Sequence, residues 1–408
     1  MERRVVITGL GIHSCLGESI DEVKQSLFEG KSGIVFDEER IKFGYQSGLT
    51  GYVSEPDLSQ FLSRKQRLGI GQPTKYAYIA LKRALEDANI NDTFFESNEV
   101  GILIGNDSTV VDSSESLDLL KLKKDTSLLG ASHIFKSMNS TVTMNLATIF
   151  KIRGINLTIS AACASGSHSV GLGYNLIKCG QQDVVICGGA QETGLISMAT
   201  FDALGVFSKN NTNPQKASRP FDKNRDGLVP SGGGAILILE EYESALKRGA
   251  KIYGEILSYA FSSNGSDHLS TPNVSGPQRA MEKAVQIAGI NKCEIDYINA
   301  HATSTPVGDI NEAKAILNVF GETCPPVSST KSLTGHECWM AGASELIYSI
   351  IMMKNGFIAP NINVEEIDED CKQLPLITKT ESKEINTFLS NSFGFGGTNA
   401  AIIIKNMK

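Results

Sequence analysis

Residues 155–168, Ile155-Asn-Leu-Thr-Ile-Ser160-Ala-Ala-Cys163-Ala-Ser-Gly-Ser-His168, join a strand-like apolar run to a turn of small residues and the start of a helix. The helical pattern continues from Ser165 to Ile177. A strand that feeds a helix through a tight turn is the unit of α/β folds with buried sheets. The same alternation extends outward. Val5 to Gly9, Val100 to Ile104, Val184 to Gly188 and Ala235 to Leu239 are further strand-like runs. Asp21 to Phe28, Lys75 to Ala88 and Val142 to Phe150 have helical spacing, as does Glu240 to Lys247. Near residue 250 the series restarts. Lys251 to Phe261, Tyr297 to Ala300, Thr387 to Ser392 and Ala400 to Ile404 read as strands. Pro277 to Ala288, Asp309 to Phe320 and Gly342 to Met353 read as helices. Two α/β halves, 1–250 and 251–408, are expected to pack as one body, since no low-complexity linker divides them.

The 408 residues are 41% hydrophobic and 20% charged, with 38 Lys and Arg against 45 Asp and Glu for a net charge of −7. This balance excludes a disordered chain and a bulk-basic nucleic-acid binder. The length suggests about two or three domain-sized units. No apolar run approaches the roughly 18 residues of a membrane span. The start, MERRVVITGLGI, reads as a first strand rather than a signal peptide. The eight cysteines contain no CxxC pair, which argues against a zinc knuckle or redox motif. Without an export signal they are expected to be free thiols in a reducing cytoplasm.

Four segments carry chemistry. In the first, Cys163 stands at the start of a helix, where the macrodipole stabilises a thiolate. The second, Asn299-Ala-His301-Ala-Thr303-Ser-Thr305-Pro-Val-Gly-Asp309, puts a His and hydroxyl residues at the end of a strand. The third, Ser329-Thr-Lys331-Ser-Leu-Thr-Gly-His336, offers a Lys and a second His. The fourth, Asn391-Ser-Phe-Gly-Phe395-Gly-Gly-Thr-Asn399, is either a hairpin turn or a loop whose N–H groups form an oxyanion hole. The Gly232-Gly-Gly234 run lacks phosphate-loop spacing and reads as a tight turn before a buried strand. One Cys with one His suits a thiol protease or acyltransferase. A second His suits a different task, donating to a thioester carbonyl whose oxygen becomes an enolate.

With these segments in place, the chain resembles the elongating β-ketoacyl-acyl-carrier-protein synthases, the type I and II condensing enzymes, and is most similar to the type I branch. The resemblance rests on SAACASGSHS, RPFDKNRDGLVPSGGGA, HATSTPVGD, STKSLTGH, GFIAPNINVEEIDE and NSFGFGGTNA, and spans nearly the whole chain. Initiating synthases use Cys-His-Asn, and thiolases carry a second Cys where residues 391–399 have none. The resemblance implies a thiolase fold, two βαβαβαββ-type halves stacked in five layers (αβαβα). Residues 1–250 would carry the nucleophile, and 251–408 the His/Lys/His set with the glycine-rich gate. It implies a decarboxylative Claisen condensation of acyl and malonyl carrier proteins, giving a 3-oxoacyl carrier protein and CO2. Cys163 would take the acyl chain, His301 and His336 would polarise the malonyl carbonyl, and Lys331 would support them. Glu312 would belong to their hydrogen-bond network, and Phe395 would be the gate. Thr303 and Thr305 would hold the 4'-phosphopantetheine arm that arrives on the carrier. No tightly bound cofactor and no metal are expected.

The expected partners are acyl carrier protein and a second copy or a related synthase subunit, with no nucleic acid and no membrane, in the cytoplasm. An acidic carrier needs a basic patch. Arg64, Lys65 and Arg67 are one candidate, and Lys121, Lys123 and Lys124 another. Two stretches depart from the family. Glu337-Cys-Trp339-Met340 replaces small residues and holds the chain's only Trp. Asn106-Asp-Ser108 places an acid where the family tunes chain length. Alternatives are a ketosynthase of a specialised polyketide or aryl polyene pathway, or a non-catalytic chain-length factor. The last lacks the active Cys, whereas Cys163, His301, Lys331 and His336 are all present here.

Overall fold

The computed structural model describes residues 3–265, 268–270 and 272–407; Met1 and Glu2 of the N-terminal reading lie outside them. The first half contributes strands β1 (Val5–His13), β2 (Val100–Gly105), β3 (Asn156–Ile159), β4 (Val184–Gln191) and β5 (Gly233–Glu241). The second contributes β6 (Gly254–Ser263), β7 (Tyr297–Asn299), β8 (Val327–Ser328), β9 (Thr387–Phe393) and β10 (Thr398–Asn406). They hydrogen-bond in the order β8-β7-β9-β10-β6-β1-β5-β4-β2-β3. Numbered within each half, both groups run third, second, fourth, fifth, first. The directions match as well. The second strand is parallel to the third and fourth, and the fifth is antiparallel to the fourth and first, in both halves. No sequence repeat announces this duplication. The halves meet where Val6 pairs with Glu255 and Ile7 with Gly254.

The helices that flank the sheet are α1 (Gln72–Asp87), α2 (Thr141–Phe150), α3 (Ser165–Lys178), α4 (Ser275–Ala288), α5 (Pro306–Phe320) and α6 (Ala341–Asn355). Helices α3 and α6 lie between the two five-strand groups, with α1 and α2 outside the first and α4 and α5 outside the second. Because side chains alternate across a strand, each strand feeds two cores. On β4, Val184 and Ile186 pack outward toward α1, and Val185 and Cys187 pack inward toward α3. On β10, Ile402 and Ile404 face the middle, and Ala401 and Ile403 face outward. Strands buried on both faces therefore read as continuous apolar runs rather than alternating ones.

One boundary is corrected. Glu240 to Lys247 reads as helical, but β5 continues through Glu241 and the helix covers only Tyr242–Lys247. Glu240 is held in the sheet because its buried carboxylate accepts hydrogen bonds from Thr8 and Arg248. The Gly232–Gly234 run does lead into a buried strand, and Gly233 adopts φ +127°.

Close backbone packing sets a stability limit at Gly11 of β1. A Cβ built there falls 1.9 Å from the Ala80 carbonyl oxygen and 2.6 Å from the Ala84 nitrogen of α1. Gly11→Ala is expected to destabilise the protein by about 1–3 kcal/mol through forced overpacking. Thermal denaturation checks this, and an unchanged Tm would show that α1 yields.

Candidate active site

The chemistry-bearing loops leave the C-terminal ends of strands, where α/β sheets place their sites. After β3 the chain enters a short 3-10 turn, Ala162–Ala164, and then α3. After β7 come His301, Thr303 and Thr305, and after β8 come Lys331 and His336. The turn Phe395–Gly397 joins β9 to β10, so the fourth motif is a hairpin as well as a loop over the site.

Cys163 is buried at 6% exposure, and Ala162 before it has φ +46°, a left-handed conformation that costs a non-glycine residue. The Asp107 carboxylate accepts a 3.0 Å hydrogen bond from the Ala162 N–H and so braces this turn. Asp107 itself is half-buried. The backbone N–H groups of Phe395 and Cys163 both hydrogen-bond toward the Cys163 sulfur. Gly394 permits this approach, since a Cβ there would lie 3.2 Å from the Cys163 nitrogen. The expectation of a stabilised thiolate needs correction. Burial pushes the thiol up to about 11, outweighing the lowering by Lys331 and the two N–H groups. A helix terminus favours the thiolate, but the desolvation of a buried thiol outweighs it here.

The His301 and His336 rings stand perpendicular with centroids 5.4 Å apart. Burial, then the nearby Lys331 charge, holds both well below the ordinary His range; His336 also lowers His301. Both imidazoles are therefore neutral at pH 7. Nδ1 of each and Nε2 of His336 are buried with no hydrogen-bond partner among the described residues. Neutral rings still carry an N–H donor for an oxygen that gains negative charge. A histidine NMR titration is expected to show no protonation of either ring between pH 8 and pH 6. A midpoint near 6.5 for either would contradict this electrostatic picture.

Glu312 on α5 fixes the His301 loop, accepting from the backbone N–H of His301 at 2.9 Å and Ala302 at 2.6 Å, and from Asn391 Nδ2 at 3.1 Å. Asp309, one turn earlier, accepts from the N–H groups of Thr303 at 3.1 Å and Thr305 at 3.2 Å. The two threonine hydroxyls lie 3.1 Å apart. Lys331 is buried and ion-paired with Glu345 of α6. Its charge acts on Cys163, both histidines, Glu312 and Glu337. Burial raises Glu312, Glu337 and Glu345 each to about 7.

A cavity of about 390 Å³ brings together Cys163, His301, Thr303, Thr305, Glu312, His336 and Phe395. Lys331 lies behind it. Arg64, Lys65 and Arg67 form a short exposed helix, and Lys121, Lys123 and Lys124 are exposed at the end of helix Val110–Lys123. Neither basic group lines the cavity. Sequence reasoning missed Glu345, Asp309 and Phe201. Glu345 had a signal, as the single charged residue between Cys338 and Met353. Phe201 had none, since an aromatic in a short apolar stretch resembles any core residue.

Comparison with known proteins fits this arrangement. Residues 2–245 match the family described as beta-ketoacyl synthase, N-terminal domain, and residues 253–365 its C-terminal domain. A 3-oxoacyl-[acyl-carrier-protein] synthase 1 of Haemophilus influenzae is 43% identical over 406 residues, covering 99% of each chain. A crystal structure of a beta-ketoacyl synthase from Burkholderia phymatum superposes with TM-score 0.94 at 33% identity, covering 100% of both chains. A type II polyketide acyl carrier protein in complex with its ketosynthase, bound to the hexaketide, matches with TM-score 0.89 at 30% identity, again over 100% of both.

Proposed function

Because the chain belongs to the β-ketoacyl synthase family, we propose that it condenses an acyl carrier protein thioester with malonyl carrier protein in fatty acid biosynthesis. The observation that carries this is the shared cavity. It holds the Cys163 thiol under two N–H groups and two neutral imidazoles with free ring nitrogens. The Cys163 sulfur attacks the acyl thioester. Its carbonyl oxygen gathers charge under the N–H groups of Phe395 and Cys163, and the thiol proton leaves on the released carrier thiol. Malonyl carrier protein then enters. Its carbon–carboxylate bond breaks, CO2 departs, and the electron pair forms an enolate whose oxygen accepts from His301 and His336. The carbanion attacks the acyl thioester on Cys163. The 3-oxoacyl carrier protein is released, and the cysteine regains a proton from solvent.

Thr303 and Thr305 hold the phosphopantetheine arm, with their loop fixed by Asp309. Arg64, Lys65, Arg67, Lys123 and Lys124 receive the acidic carrier outside the cavity. The enzyme works in the cytoplasm, with no tightly bound cofactor, as a dimer. The dimer reading is supported by β3, an edge strand with Leu157 half exposed, beside exposed Met138. An open apolar edge invites pairing with a second copy. Sedimentation at micromolar concentration tests this, and a monomer would refute it.

The reaction is tested by incubation with a medium-chain acyl carrier protein and malonyl carrier protein, followed by intact mass. An acyl adduct on Cys163 and a 3-oxo product two carbons longer are expected. A non-catalytic chain-length factor would give neither.

A further inference from the structure

We propose that Trp339 limits the length of saturated acyl chain that Cys163 can carry. The inference rests on the condensation reading above and names a specificity residue for it. In that reaction the second carrier arm must reach Cys163 while the acyl chain is attached. The arm lies along the Thr303 and Thr305 wall of the cavity, so the chain has to lie against the wall that Phe201, Phe207 and Cys338 contribute. There, Cys163 packs in an apolar cluster with Met198, Phe207, Cys338 and Trp339, and Phe201 packs against it.

Trp339 fills this cluster. It is 6% exposed, and its ring meets Phe201 at a centroid distance of 6.1 Å. Phe201 in turn stacks on Phe207 at 6.3 Å and on Phe395 at 6.2 Å. The indole thus ends an aromatic row that begins at the loop over the site.

The ring's backbone has no room to retreat. The Trp339 carbonyl oxygen lies 2.7 Å from a Cβ built on Gly189 and 3.0 Å from one built on Gly166. Cys338 before it is already in a left-handed conformation at φ +46°. The indole N–H is buried and donates to no group among the described residues, so packing alone holds the ring. A short chain lies against Cys338 and Phe201. A long saturated chain has to displace a bulky ring from a close-packed cluster, which interiors resist.

The test compares loading of Cys163 from butanoyl, octanoyl and dodecanoyl carrier protein by intact mass, in the wild type and in Trp339→Ala and Trp339→Phe. The phenylalanine variant keeps a buried aromatic in case the alanine variant does not fold. Butanoyl is expected to load at least about 10-fold faster than dodecanoyl in the wild type, with the ratio shrinking in Trp339→Phe and further in Trp339→Ala. Trp339 is also the chain's only tryptophan, so its emission reports the site directly. Butanoyl loading is expected to shift that emission, and incubation of Cys163→Ala is not. Equal loading of all three chains by the wild type would overturn the proposal. So would folded variants that keep the wild-type ratio, or loading without an emission change. No adduct with any chain would overturn the condensation reading itself, and this proposal with it.

Discussion

Cys163→Ala is expected to lower condensation by at least about 10⁴-fold, because the other thiol in the cavity, Cys338, donates to the His336 carbonyl and is pushed well above the ordinary thiol range by burial. The fold should survive, since the change removes only a sulfur that faces the cavity. In the proposed mechanism the enolate depends on His301 and His336 rather than on the thiol. The variant is therefore expected to retain CO2 release from malonyl carrier protein while forming no 3-oxo product. Radiolabelled malonyl carrier protein separates the two steps. Retained condensation would place the nucleophile elsewhere. Loss of both steps with a folded protein would mean that Cys163 also shapes the malonyl site. The high thiol pKa sharpens the point, since attack requires the proton to leave as the carbonyl is approached. In the proposed mechanism the N–H groups of Phe395 and Cys163 then stabilise oxyanion and thiolate in turn.

Lys331→Met is the second large effect. It leaves Glu345 buried without its partner and deprives Glu312 and Glu337 of the nearby cation. Removing one member of a buried ion pair costs about 3–5 kcal/mol. The sign with pH follows from the carboxyl groups. Glu345 already lies near 7 with Lys331 present, and without it the folded-state value rises further. A carboxyl raised in the folded state is least harmful while protonated, and stability is lost as pH climbs from its unfolded value of about 4.5 through the folded one. Thermal denaturation is therefore expected to show a larger deficit at pH 8 than at pH 6. The double variant Lys331→Met/Glu345→Leu should recover much of the stability, since no charge is left unpaired, and still condense poorly. A deficit independent of pH, or no rescue, would show that packing rather than charge explains the loss.

The strands were legible because burial on both faces demands apolar runs, as in Val184 to Gly188. The four motif segments were legible because glycine, hydroxyl and histidine residues cluster where backbone must bend near chemistry. Their convergence in one cavity was not, because it depends on pairings between strands far apart in sequence, such as β7 with β9. Helix Val110–Lys123 escaped notice for a different reason. Its Leu117 and Leu122 point outward, which blurs the helical period. Electrostatics was the least legible. A helix terminus is visible in sequence, but the desolvation that dominates Cys163, His301 and Glu312 depends on everything packed around them.

The loop that carries Phe395 is the tip of a hairpin whose arms, β9 and β10, lie inside the sheet. Each arm is paired on both sides, β9 with β7 and β10 with β6. Between them only residues 394–397 are free of ladder pairing, and Gly396 and Gly397 sit at φ +76° and +78°. Any swing of the loop is thus confined to a few glycine torsions and leaves strand register untouched. Amide hydrogen exchange at Phe395 and Gly396 should report a local, low-energy fluctuation, and the arms should exchange only with global unfolding. Motion of this loop and loss of the fold are consequently separate events on separate timescales.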